Sequence, residues 1–282
     1  MEFVDIAYTT AAPTDALRQL DLYLPVIHSP PPPLVVFFHG GAWRAEDKAD
    51  HKKLARSLVS ATGFAVVVPN YRLTPRDPPG DDHFRHPGHA EDALQALIFL
   101  TTWQGPSALG PIYDPDRLYL MGHSCSAHML SSIFLDSSSI TPTLTPPPSL
   151  FKAVKAIVMS EGIYDLDLLL TSFPDYLAWF VRPTFGRRAS YAPFSTNAFS
   201  LIDTHIKWLI IHSKGDTLVD LPQSEAMYRR LCELNGSEAS TRVYRNTEKL
   251  RGEHNDILLG LDFVDIVKDF FLSQGEGNIN LI

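Results

Sequence analysis

Two kinds of hydrophobic pattern alternate along this chain. Short continuous apolar runs, Leu34-Val-Val-Phe-Phe38, Phe64-Ala-Val-Val-Val68, Leu118-Tyr-Leu-Met121, Val154 to Met159 and Ile206 to Ile211, read as strands buried on both faces. Leu20-Asp-Leu-Tyr-Leu24 alternates like a half-buried strand, and Thr241 to Tyr244 reads as a last strand. Between them lie stretches with helical spacing. Lys48 to Ala61 places Leu54, Leu58 and Ala61 on one face and stops at Gly63; Ala90 to Trp103 turns Ala93, Leu97 and Leu100 inward. Ala127 to Leu135, Pro222 to Asn235 (ended by Gly236) and Ile257 to Phe271 are further helices. This alternation predicts an α/β fold: a mostly parallel sheet with helices on both faces. Two stretches break the pattern. Ser137 to Ser149 is rich in Ser, Thr and Pro and reads as an exposed loop, while 165–199 is aromatic-rich and irregular, as expected of a cap over a site. The expected organisation is one domain, 1–282, with a cap-like insertion around 165–199.

Composition narrows the function classes. The 282 residues suffice for one large α/β domain, and 45% hydrophobic with 20% charged residues describes a globular protein. A formal net charge of -8 disfavours nucleic acid or an anionic membrane as partner, because phosphate binding needs an excess of Lys and Arg. No apolar stretch approaches the roughly 20 residues of a membrane span. Met1-Glu-Phe-Val-Asp-Ile6 lacks the basic and apolar regions of a secretory signal. Cys125 and Cys232 make no disulfide framework, so a reducing, cytoplasmic setting is expected.

The chemistry centres on Gly122-His-Ser-Cys-Ser126, where an apolar run passes directly into a helix. This is the layout of a nucleophile elbow, which pushes the hydroxyl of Ser124 out of the sheet and aims the Cys125 amide at a developing oxyanion. One residue departs from Gly-x-Ser-x-Gly: Ser126 stands where the last glycine belongs. A serine nucleophile needs a histidine base and an acid that orients it, and after an elbow these follow in the order acid, then His. Asp216 follows the strand at Ile206 to Ile211, with Gly215 allowing the turn, and His254 lies in the loop before the last helix. Asp220 is a second possible acid, further from the strand end. His212 reads as locally bonded, His123 as the variable elbow residue that points away from the serine, His86 and His89 as capping or loop residues, and Glu253 and Asp256 as solvated or helix-start acids. No His, Cys or Asp cluster has the spacing of metal ligands, so neither metal nor cofactor is expected. Phe38-His-Gly-Gly-Ala-Trp43 follows a buried strand, and its paired glycines let backbone amides approach a carbonyl: Gly40 and Gly41 join Cys125 as the candidate oxyanion hole.

The triad layout resembles the α/β-hydrolase superfamily. Five local runs are similar to kynurenine formamidases, particularly the fungal ones: His39-Gly-Gly-Ala-Trp43, Tyr71-Arg-Leu73, Gly122-His-Ser124, Glu161-Gly-Ile-Tyr-Asp-Leu166 with Phe173-Pro-Asp-Tyr176, and Glu253-His-Asn-Asp256. The resemblance runs from about Leu34 to Phe271. It implies an eight-stranded sheet, catalytic Ser124, Asp216 and His254, and oxyanion amides from Gly40, Gly41 and Cys125. It also implies hydrolysis of N-formyl-L-kynurenine, an aryl formamide, to kynurenine and formate through a formyl-serine, in tryptophan degradation by the kynurenine pathway. A dimer is implied as well. The aromatic ring needs an apolar slot, for which Trp43, Tyr164 and Phe180 are the candidates, with Tyr176, Trp179 and Phe185 as further material. Two other readings stay open: a general carboxylesterase of the hormone-sensitive-lipase type, and a non-catalytic small-molecule receptor on the same fold.

Overall fold

Apolar runs become interior strands because both faces must be covered, and the alternation along each strand decides which core every side chain joins. The structure, a computed structural model, describes residues 1–26, 30–77, 80, 82–106, 109–202 and 205–274. Its strands are β1 Glu2–Ala7, β2 Gln19–Tyr23, β3 Leu34–Phe38, β4 Ala65–Pro69, β5 Leu118–His123, β6 Leu135–Asp136, β7 Val154–Ser160, β8 Ser200–Leu201, β9 Lys207–Ile211 and β10 Val243–Asn246. The helices are α1 Lys52–Thr62, α2 Gly88–Thr102, α3 Cys125–Phe134, α4 Pro148–Ala153, α5 Leu166–Ser172, α6 Arg182–Phe185, α7 Leu221–Asn235, α8 Ala239–Arg242 and α9 Leu261–Ser273. Eight strands form one sheet in the order β1-β2-β4-β3-β5-β7-β9-β10, while β6 and β8 pair separately. β1 and β2 are antiparallel to their neighbours, and every other pairing in the large sheet is parallel. The fold is that of the α/β-hydrolases.

β3 shows the logic. Leu34, Val36 and Phe38 enter the core shared with α2, α3 and α7, while Val35 and Phe37 enter the other, shared with α1 and α9. Gly63 closes α1 in the left-handed region at φ 71°, with its amide bonded to the Val59 carbonyl.

Three expectations change. β1 is an added edge strand with no buried position and a register shift between Phe3 and Ile6, so it has no clean apolar alternation to betray it. The stretch Ser137 to Ser149 is not simply an exposed loop. Leu144 is buried, Ser137 Oγ donates to the Ser132 carbonyl at 2.7 Å, Thr141 Oγ1 donates to Ser137 Oγ at 2.9 Å, and α4 begins at Pro148. Its hydroxyls satisfy one another locally, which lets a polar stretch pack. The last helix starts later than its apolar pattern: Asp256–Leu259 is a separate 3-10 turn ahead of α9.

Candidate active site

Five loops at the ends of β3, β5, β7, β9 and β10 meet around a cavity of about 180 Å³. This is where ligand sites form in open parallel sheets. Gly41, Ala42, Ala45 and Glu46 come from the first loop and Ser124 from the second. Ile163, Leu218, Val219, His254 and Asn255 come from the other three, and Tyr176, Trp179 and Phe180 supply a wall from the 165–199 segment.

Ser124 sits between β5 and α3 with φ 56° and ψ −121°, a conformation a serine adopts only under tight constraint. The constraint is visible. Its amide donates to the Ser160 carbonyl at 2.8 Å, and its carbonyl accepts from the Ala127 amide at 3.1 Å. A Cβ on Gly122 would lie 2.7 Å from the Ser126 carbonyl oxygen, so only glycine lets the helix fold back this closely on the strand. Ser126 itself is accommodated: it is fully buried and its hydroxyl donates to the carbonyl of His39.

His254 and Asp216 meet through Nδ1 and Oδ2 at 2.8 Å. With Nδ1–H committed to the carboxylate, Nε2 is left as the basic nitrogen of the ring. The other Asp216 oxygen accepts from the amides of Leu218 at 2.8 Å and Val219 at 3.0 Å. Burial opposes its ionisation. The bonds from His254 and from the Val219 amide help outweigh that, and the carboxyl is held well below the usual range. A Cβ on Gly215 would lie 2.1 Å from the Arg251 carbonyl oxygen, which is how the acid loop comes to rest against the loop that carries His254.

The loop after β3 is held in an unusual shape: Gly41 has φ 89°, Ala42 52° and Trp43 59°. A Cβ on Gly40 would lie 3.2 Å from Ser124 Cβ, and one on Gly41 2.2 Å from the Ala45 carbonyl oxygen. The Trp43 amide donates to Cys125 Sγ at 3.3 Å, and the Tyr71 hydroxyl lies 2.8 Å from the Gly40 carbonyl and 3.0 Å from that of His39. Burial pushes the Cys125 thiol up to about 12, so it is a neutral acceptor here. Gly40 therefore sits against the elbow, while Gly41 turns tightly against Ala45 of its own loop.

Of the expected pocket residues, Phe180 lines the cavity, whereas Trp43 and Tyr164 are wholly buried and do not. Trp43, at φ 59°, packs on His128, Phe180 and Phe185, with centroids 5.2–5.8 Å apart. Asp220 accepts from Ser172 Oγ at 2.6 Å, and the carboxylate bonded to His254 is that of Asp216. His212 bonds Ser224 Oγ at 2.9 Å. His123 lies beneath the base, its Nδ1 3.0 Å from Ser160 Oγ and its Nε2 3.0 Å from Asn255 Oδ1. His86 lies in the turn before α2, as expected of a loop residue, but is buried, its ring tilted against Phe185 and edge-on to Phe194; His89 is a buried residue within α2 whose Nε2 meets Thr74 Oγ1 at 2.9 Å. Glu253 is exposed and accepts from Thr217 Oγ1 at 2.7 Å, and Asp256 is exposed too.

Sequence spacing shows no ligand cluster, yet the fold gathers two trios whose donor atoms lie within 4.8 Å of one another: His39, Glu46 and His51, and Glu161, His212 and Asp216. Both already hold internal contacts, 3.1 Å between His51 Nε2 and Glu46 Oε2 and 3.3 Å between His212 Nδ1 and Glu161 Oε2. Glu46 lines the cavity. Its burial is outweighed by the bond from His51, which brings its carboxyl down to about 2, so it presents a fixed negative charge. No helix among the described residues is long and apolar enough to cross a membrane.

Comparisons with known proteins agree with this architecture. The BD-FAE family model matches residues 20–231. A kynurenine formamidase from Meyerozyma guilliermondii is 29% identical over 200 residues, which cover 68% of this chain and 69% of that protein. A probable isoprenylcysteine alpha-carbonyl methylesterase from Oryza sativa subsp. japonica is 26% identical over 86% of this chain, which spans 56% of that relative's length. Among solved structures, an inhibited esterase B from Lactobacillus rhamnosis superposes with a TM-score of 0.75 at 17% identity, covering 98% of this chain and 87% of that one. The chain belongs to the BD-FAE family and is a hydrolase of the α/β-hydrolase fold, similar to kynurenine formamidases.

Proposed function

We propose that this hydrolase cleaves aryl formamides of the N-formyl-L-kynurenine type, with Ser124 as nucleophile, His254 as base and Asp216 as the acid that orients it. Ser124 Oγ attacks the formyl carbon while His254 Nε2 takes its proton. The amides of Gly40, Gly41 and Cys125 stabilise the tetrahedral oxyanion, each such donor contributing about 2.7–4 kcal/mol. His254 then protonates the departing aryl amine as the C–N bond breaks. Water, deprotonated by the same nitrogen, attacks the formyl-serine, releases formate and returns the proton to Ser124. The 165–199 segment acts as a cap, and its rings hold the aryl group.

The observation that carries this reading is one small cavity that Ser124 and His254 share with Tyr176, Trp179 and Phe180. A formyl donor needs almost no acyl pocket, whereas its aromatic leaving group needs an apolar wall. Similarity to a kynurenine formamidase supports the same choice. Carboxylester hydrolysis is the second reading, favoured by the likeness to a methylesterase. Rates on N-formyl-L-kynurenine and on p-nitrophenyl acetate, measured side by side, separate the two. The formamide is expected to be the faster substrate and Ser124→Ala to abolish both activities; fast ester cleavage with no formamide cleavage would select the second reading.

A further inference from the structure

Directly after β7, Glu161 holds a position no acid would take by chance. It is 0% exposed and its backbone lies at φ 50°, a left-handed conformation that disfavours a long side chain. Its amide donates to the Ile211 carbonyl at 3.0 Å, which fixes it beside the end of β9 and hence beside the loop carrying Asp216. One carboxyl oxygen, Oε1, accepts from the Ser213 amide at 2.9 Å. The other, Oε2, is buried without a donor, although it faces Asp216 and lies 3.3 Å from His212 Nδ1.

Two buried carboxyl groups side by side cannot both be ionised, because the second charge has neither water nor a cation to offset it. The competition for the proton is one-sided. Asp216 already receives His254 Nδ1–H and the amides of Leu218 and Val219, whereas Glu161 receives one amide. His212 cannot supply the missing charge, since burial lowers its affinity for a proton and its Nδ1 engages Ser224 Oγ at 2.9 Å. Tyr164, the other titratable neighbour, is buried and held in its neutral form. Burial first, and then the adjoining Asp216 carboxylate, push the Glu161 carboxyl up to about 10. A proton on Oε2 also gives that orphaned oxygen its partner.

We propose that Glu161 is a neutral acid that donates a hydrogen bond to the Asp216 carboxylate and so acts as a positioning residue behind the acid–base pair. This rests on the reading of Asp216 and His254 as acid and base. The bond fixes the carboxylate plane that orients His254, and it withdraws charge from Asp216.

Two readouts test it. The first is the pH dependence of Ser124 labelling by a fluorophosphonate, in wild type, E161Q and E161A. Glutamine keeps an acceptor for Ser213 and a donor for Asp216, so E161Q should label within about twofold of wild type, with the acid limb of the profile in place. Alanine removes the donor and leaves Asp216 more basic, so E161A should slow labelling on the order of tenfold and move the acid limb to higher pH. If Glu161 were ionised, E161Q would remove a negative charge and move that limb to lower pH, which overturns the proposal. An unchanged E161A overturns it as well. The second readout needs no activity. The infrared difference between wild type and E161Q at neutral pH should contain the C=O stretch of a protonated carboxyl, and the stretch should shift in a D216N background. Absence of the band refutes the neutral acid even in a protein whose Ser124 never labels, whereas failure to label with the band present refutes only the catalytic reading.

Discussion

The hydroxyl of Ser126 donates to the carbonyl of His39, tying the helix behind the elbow to the loop that carries Gly40 and Gly41. The residue that departs from the elbow pattern thus joins two halves of the candidate site. Ser126→Ala is expected to cost about 1 kcal/mol in urea denaturation, the worth of one neutral hydrogen bond. The cost stays small because the Tyr71 hydroxyl lies 3.0 Å from the same carbonyl and can replace the donor. Ser126→Gly, which restores the commoner residue, should be about 1 kcal/mol less stable again, since glycine in the first turns of a helix adds backbone freedom to the unfolded chain. A glycine variant more stable than the alanine variant would contradict this.

Gly41→Ala tests the loop from the other side. With φ 89° and a Cβ only 2.2 Å from the Ala45 carbonyl oxygen, the added methyl group must displace the backbone. The Gly40 and Gly41 amides move with it. A reduction of kcat by roughly 10²- to 10³-fold is expected, the loss seen when an oxyanion donor is removed, with KM little changed. Circular dichroism should show the fold retained, because the loop lies outside the sheet.

How much of this could be read along the chain follows from how locally each feature is encoded. The all-apolar run of β3 declares a strand covered on both sides. Ser124 and Asp216 each follow a buried strand of that kind, whereas His254 follows β10, a partly exposed edge strand, so its place was legible from element order alone. β1 was not, because at the sheet edge none of its positions is buried. Nor was the meeting of Glu161 with Asp216. The two are 55 residues apart (216 − 161) and come together only because β7 and β9 are parallel neighbours, with Ser160 opposite Ile211. The division of the aromatics was also hidden. Trp43 and Phe180 are in ring contact, yet only Phe180 of the two lines the cavity, a division that sequence spacing does not encode.

Trp179 is half exposed and lines the cavity, stacking edge-on against Tyr176 and Phe180 at 5.2 Å. Removing it should weaken binding of an aryl leaving group without harming the core. Trp179→Ala is expected to raise KM for aryl formamides roughly two- to tenfold, the value of one aromatic contact, while leaving a small aliphatic ester such as ethyl acetate unaffected. Its stability should stay within about 0.5 kcal/mol of wild type. Phe180→Ala provides the contrast. Phe180 is 1% exposed and packs on Trp43, so its loss should cost about 3–5 kcal/mol of stability as well as affinity.

Mild acid should unfold this protein. Burial depresses His39 and His128 to about 4 and His89 and His123 to about 3, so all four are neutral in the folded state. In the unfolded chain each takes up a proton near pH 6.5. Below that pH the unfolded state binds more protons than the folded one, so stability falls as pH drops, and it keeps falling until the folded-state values are reached. Each histidine contributes roughly 1.4 kcal/mol per pH unit in that window, so the four together remove about 5 kcal/mol between pH 6 and pH 5. Typical domains are stable by about 5–15 kcal/mol, which places the acid midpoint between about pH 4 and pH 6. Urea denaturation at a series of pH values should show the midpoint concentration falling steeply from pH 6.5 downward. A flat profile from pH 7 to pH 5 would mean that these imidazoles are not held neutral in the folded core.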